Sequence, residues 1–131
     1  MLNPIPRMRP LFRFLLPLGI VVGISSFTLL PMCNLLFSCG CTVAGAQHCN
    51  VHNTEAPRCP WCAHGNGVFT LAYAVALLGA AIGIASALKL SGGRMFVSTA
   101  AGIVGFGVAV SLAGLGCAIY FHYPTWFGLH I

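Results

Sequence analysis

The chain has 131 residues, of which 58% are hydrophobic and only 5% charged; six Lys+Arg against one acidic residue give a formal net charge of +5. Soluble domains carry about 25% charged residues, so a chain this poor in charge lacks the polar surface to stay dispersed in water, and its apolar excess must face lipid. Asp is absent and Glu55 is the sole carboxylate, which excludes paired-carboxylate hydrolysis, calcium loops, magnesium-dependent phosphoryl transfer and a Ser-His-Asp triad.

After a short basic N-terminus over residues 1–10, residues 11–31 are apolar apart from Arg13, with Pro17 within the run. That is the length a helix needs to cross about 30 Å of hydrocarbon. Residues 32–67 form a Cys/His-rich loop, residues 68–90 a second apolar run closed by Lys89, residues 91–94 a turn, and residues 95–121 a third run. The third is longer than a straight crossing requires and is accommodated by tilt. Residues 122–131 are a short C-terminal tail. None of the runs alternates as a barrel strand would, so the fold class is an all-α membrane protein with three transmembrane helices. The first run also has the layout of a secretory signal, with Arg7, Arg9 and Arg13 ahead of an apolar core, but no small-x-small cleavage site follows it, and it reads as a retained anchor.

Arg7, Arg9, Arg13, Lys89 and Arg94 share one side of this topology and Arg58 alone lies on the other. The positive-inside rule therefore predicts a cytoplasmic N-terminus and 91–94 turn, with the 32–67 loop and the C-terminus extracytoplasmic, in a prokaryotic inner membrane. All seven Cys and five His then collect at one end of the bundle. Crowding of polar residues into the few wet places of a small chain accounts for the His. It accounts poorly for Cys, which behaves as a small hydrophobe and could sit anywhere along the helices.

Gly79 and Gly83 of the second helix are spaced for close helix approach, with Ala81 and Ala85 extending the narrow face, and the third helix offers Ser98 with Gly102 and Ala109 with Ala113. These faces are expected to pack the last two helices together and to serve contacts with other membrane subunits. No ionisable residue lies within the spans beyond Arg13, which argues against a transport path. Tyr120, Tyr123, Trp126 and Phe127 read as an aromatic belt at the membrane boundary.

The informative segment is Cys33-x5-Cys39-Gly40-Cys41-x6-His48-Cys49-x2-His52-x6-Cys59-Pro60-Trp61-Cys62-Ala63-His64. Cys59-x2-Cys62 has the spacing of a metal knuckle, with Pro60 pre-setting the turn, and Cys39-x-Cys41 supplies a second pair. His48 and His52 would share a face over one helical turn. The candidate ligands are therefore Cys39, Cys41, His48, Cys49, His52, Cys59, Cys62 and His64. So sulfur-rich a set favours zinc, copper(I) or iron over magnesium or calcium.

Three readings compete. A bound metal, zinc first and copper second, uses Cys and His together. Disulfides suit a small extracytoplasmic loop but leave one of seven thiols over and the His unexplained. Thiol–disulfide chemistry through Cys59 and Cys62 has the right spacing, with Arg58 or His64 as activating cation, but lacks βαβ surroundings. Covalent c-type haem is excluded because Ala63 separates Cys62 from His64; haem held by His64 and His122, or an iron–sulfur cluster, are minor options. The sequence thus reads as an accessory or assembly subunit of a larger membrane complex. Its partners would be the lipid bilayer and other subunits, with no nucleic acid and no assigned catalytic step. A membrane thiol oxidoreductase or metal-delivery protein is the alternative, and a disulfide-stapled structural subunit the third option.

Overall fold

The computed structural model of the chain describes residues 10–42, 58–63, 65–92 and 94–131. Three long helices dominate it: α1 (Pro10–Phe37), α3 (Gly65–Leu90) and α4 (Met95–Tyr120), with a single turn, α2 (Pro60–Ala63), just before α3. Each long helix contains a stretch apolar enough to cross a membrane, Leu11–Thr28, Gly67–Leu90 and Met95–Tyr120. Large apolar side chains on all three, among them Phe27, Leu71, Leu78, Phe96, Val104 and Leu112, point outward. This is the surface lipid covers in an embedded bundle.

Helix α1 runs through Pro17 and Pro31 to Phe37, six residues beyond the end of the predicted span. A proline in lipid does not have to end a helix, because neighbouring groups and local adjustments re-satisfy the freed backbone groups; separately, Ser25, Ser26 and Thr28 back-bond to the carbonyls of Val22 and Ile24 in the turns between the two prolines. The extension carries Cys33 on the final turns of α1 instead of in a loop.

The tightest pair is α3 with α4. A Cβ built on Gly79 would lie 2.5 Å from the Ala109 Cβ and from the Gly105 carbonyl oxygen, and one on Gly83 would strike the Ala101 carbonyl. The Gly79/Gly83 stripe therefore meets α4 as the spacing predicts, but the opposing face is Ala101, Gly105 and Ala109. Ser98 and Gly102 are buried on another side of α4, where a Cβ at Gly102 would meet Ile84 of α3 and Val21 of α1. Ala85 faces outward. The small residues expected to meet other subunits are thus largely spent inside the chain. A hydrogen bond of 3.0 Å between Ser25 Oγ and Tyr73 OH ties α1 to α3.

At the C-terminus two residues on each side form an antiparallel hairpin, β1 (Thr125–Trp126) with β2 (Leu129–His130), pairing Thr125 with His130 and Trp126 with Leu129. Phe127 and Gly128 both have positive φ, 50° and 73°, the backbone that two-residue hairpin turns require and that glycine adopts without strain. The hairpin caps α1: the Phe127 N–H donates to the Leu36 carbonyl at 2.9 Å, and Tyr123 OH to the Phe37 carbonyl at 3.0 Å. These are carbonyls that a helix end leaves without intrahelical partners. The aromatic belt is corrected accordingly. Tyr123 is only 6% exposed and sits edge-on to Phe37 at 5.5 Å, while Trp126 Nε1 donates to the Ser111 carbonyl at 3.3 Å; Tyr120 and Phe127 do face outward.

Candidate metal centre

The site is assembled from two chain segments. After Phe37 the helix stops: the Ser38 N–H bonds back to the Asn34 carbonyl at 2.7 Å, and the Asn34 side chain accepts from the Gly40 N–H at 2.8 Å. Ser38 and Gly40 take positive φ of 50° and 84°, the left-handed geometry that commonly terminates helices. This reversal brings Cys39 back to Cys33, with 3.4 Å between their sulfurs. On the second segment Cys59 precedes α2, and its carbonyl accepts from the Ala63 N–H at 2.8 Å. A helical turn places residues three apart on one face, so Cys59 and Cys62 both reach the same point. Cys33 lies 3.3 Å from the Cys59 sulfur and 3.7 Å from that of Cys62.

Cys33, Cys39, Cys59 and Cys62 form one group whose four sulfurs all lie within 4.8 Å of one another. With zinc–sulfur bonds of about 2.3 Å, a tetrahedron of four thiolates has edges of about 3.8 Å. The observed separations of 3.3, 3.4 and 3.7 Å fall slightly short of that edge and well beyond the roughly 2.05 Å of a disulfide. The group could hold a metal ion. Cys33, Cys39 and Cys59 are buried, while Cys62 is half-buried. Phe37 and Trp61 belong to the same buried cluster as these cysteines, 5.2 Å apart and edge-on, and Phe69 lies 6.2 Å from Trp61.

The thiols are electrostatically unequal. Hydrogen bonds from Cys33, then Cys59 and Cys62, converge on Cys39 and hold its thiol far below the usual range. Cys33 is pushed far above it, by its hydrogen bond to Cys39 first, then by those to Cys59 and Cys62 and by burial. One negative charge is thus easily accommodated, whereas each further ionisation places like charges within a few ångströms. A cation at the centre removes that repulsion and lets the remaining thiols ionise.

Of the ligands predicted from sequence, Cys39, Cys59 and Cys62 come together here. Cys41 stands beside the group, 3.6 Å from the Cys62 sulfur, without being one of its four members. His48, Cys49, His52 and His64 lie outside the described residues. Cys33, which the spacing argument did not name as a ligand, joins these three; the missed signal was a helix that continues past Pro31. His122, the other haem candidate, is exposed beyond α4. No protein-family model matches the chain, and none of the curated proteins or solved structures compared with it does either.

Proposed function

We propose that this is a small integral membrane protein whose extracytoplasmic end is locked by a four-thiolate metal centre of Cys33, Cys39, Cys59 and Cys62, zinc first and copper second. The observation that carries the reading is the convergence of four sulfurs, from the end of α1 and the start of α2, at separations close to those of a metal tetrahedron. Four protein ligands leave no open position for substrate or water, which suits a structural site rather than a catalytic one. Arg13, Lys89 and Arg94 at the opposite end of the helices support a cytoplasmic placement of that end. A closed centre on a bundle without intramembrane acids fits an accessory or assembly subunit. A thiol oxidoreductase working through Cys59 and Cys62 is less well supported, because Cys59 is fully buried and an attacking thiol must meet its partner's disulfide.

Elemental analysis of the full chain purified in detergent under reducing conditions tests the reading. One equivalent of Zn or Cu per chain is expected. Less than about a tenth of an equivalent, against the tight binding usual for four-thiolate sites, would overturn it.

A further inference from the structure

Among the described residues a fifth thiol stands directly beside the four-thiol group. Cys41 is buried, and its sulfur lies 3.6 Å from that of Cys62. Cys62 is the one half-buried member of the four-thiol group. The group therefore presents its most accessible sulfur directly beside a thiol that the ion does not need. Oxidation-sensitive cysteines are accessible, held as thiolates and placed next to a second thiol that resolves the oxidised product. A bound cation favours that thiolate, since a coordinating thiol is deprotonated outright; without an ion the same pair reacts through its minor thiolate fraction, more slowly. The other close sulfur pairs, Cys33 with Cys39, with Cys59 and, at 3.7 Å, with Cys62, each join two members of the four-thiol group, so both sulfurs would be occupied as ligands.

We propose that Cys62 and Cys41 are a peroxide-responsive pair, whose disulfide withdraws one ligand from the four-thiol group and releases its metal ion. The oxidant is hydrogen peroxide. The Cys62 thiolate attacks one peroxide oxygen, the O–O bond breaks, and the departing oxygen leaves as water after taking a proton from solvent. Cys62 is now a sulfenic acid, oxidised by two electrons. The Cys41 sulfur attacks the Cys62 sulfur; an S–S bond forms, the S–O bond breaks, and water leaves with the proton of the Cys41 thiol. In sum, one peroxide and two thiols give one disulfide and two waters. The three sulfurs that remain, Cys33, Cys39 and Cys59, hold the ion in an open and weaker site, and a dithiol reductant restores the fourth. Metal release rests on the four-thiolate reading; formation of the disulfide does not.

The test uses the full chain in detergent, loaded with Zn(II) and treated with hydrogen peroxide. A chromogenic chelator follows release, and fragmentation mass spectrometry maps linkages after free thiols are blocked. Release together with a Cys41–Cys62 linkage, reversed by dithiothreitol, is expected. Cys41→Ser keeps all four grouped thiols and should bind Zn(II) at the same stoichiometry but release it at least about tenfold more slowly, because no resolving thiol is at hand. Release from Cys41→Ser at the wild-type rate would overturn the proposal, as would a dominant linkage between any other pair in the wild-type chain. The wild-type map decides the matter even if Cys41→Ser folds poorly. A chain that takes up no Zn(II) sinks the four-thiolate reading alone, since the linkage formed by peroxide in the metal-free chain still decides the thiol pair.

Discussion

Individual side chains at the end of α1 carry consequences that their neighbours in sequence do not share. Cys33 contacts three other sulfurs, so Cys33→Ser should lower Zn(II) affinity at least about tenfold, the low end of what loss of a metal-supporting group costs. Cys117→Ser, a change in the body of α4 that leaves the four-thiol group whole, should leave it unchanged; equal losses in the two variants would remove Cys33 from the ligand set. Tyr123 is a second such residue. Tyr123→Phe keeps the ring against Phe37 but deletes the hydroxyl donor to the Phe37 carbonyl, and should lower unfolding free energy by about 1 kcal/mol. Thermal unfolding in detergent measures it. An unchanged midpoint would mean the α1 carbonyl finds another donor without cost.

Among the elements, α3 and α4 are held by shape rather than by polar contact. Association in lipid gains nothing from a hydrophobic effect between helices, so close backbone approach has to supply the packing. A Cβ on Gly83 would meet the Ala101 carbonyl, whereas a Cβ on Gly107, in the same helix pair, meets nothing within 4 Å. Gly83→Val should therefore cost about 1–3 kcal/mol, as overpacking against an immovable backbone does, and Gly107→Val far less. Unfolding followed by circular dichroism separates the two, and equal effects would show that valine's helix propensity, not the approach of α4, sets the cost. The terminal hairpin works differently. It contributes little sheet of its own, but it supplies donors to the end of α1 and so holds the turn that delivers Cys39.

For the whole molecule, the arrangement separates two chemistries by the thickness of the bundle. Arg13, Lys89 and Arg94 sit at one end and the sulfur group at the other; α1 and α4 run parallel, as the contacts of Val21 with Gly102 and of Leu36 with Gly114 require, and α3 runs antiparallel to both, as Gly79 against Ala109 and Gly83 against Ala101 require. The orientation expected from the basic residues is tested by fusions after Ile131. A phosphatase active only on the far side of the membrane should be active there, and a fluorescent protein that folds only in the cytoplasm should stay dark. The reverse pattern would place the thiols in the reducing compartment and the peroxide-responsive pair with them.

Sequence by itself determined the three apolar helices, because hydropathy over some twenty residues is a property of composition and length, indifferent to what packs against what. It also determined the approach of Gly79 and Gly83, since backbone contact in lipid depends on where side chains are missing. Cys59 and Cys62 were legible as a pair because their spacing is local, one turn of chain. What lay beyond local reach was decided by the tertiary structure. Pro31 looks like a stop in sequence, yet α1 continues to Phe37, and that one extra stretch carries Cys33 to the sulfurs of Cys39, Cys59 and Cys62. The aromatic residues after α4 resembled a membrane belt until Tyr123 and Trp126 were seen to donate to carbonyls of α1 and α4. A sulfur group drawn from positions 26 residues apart depends on where each helix ends and how the chain turns back, and those are settled by packing and capping across the fold rather than by any residue's neighbours in sequence.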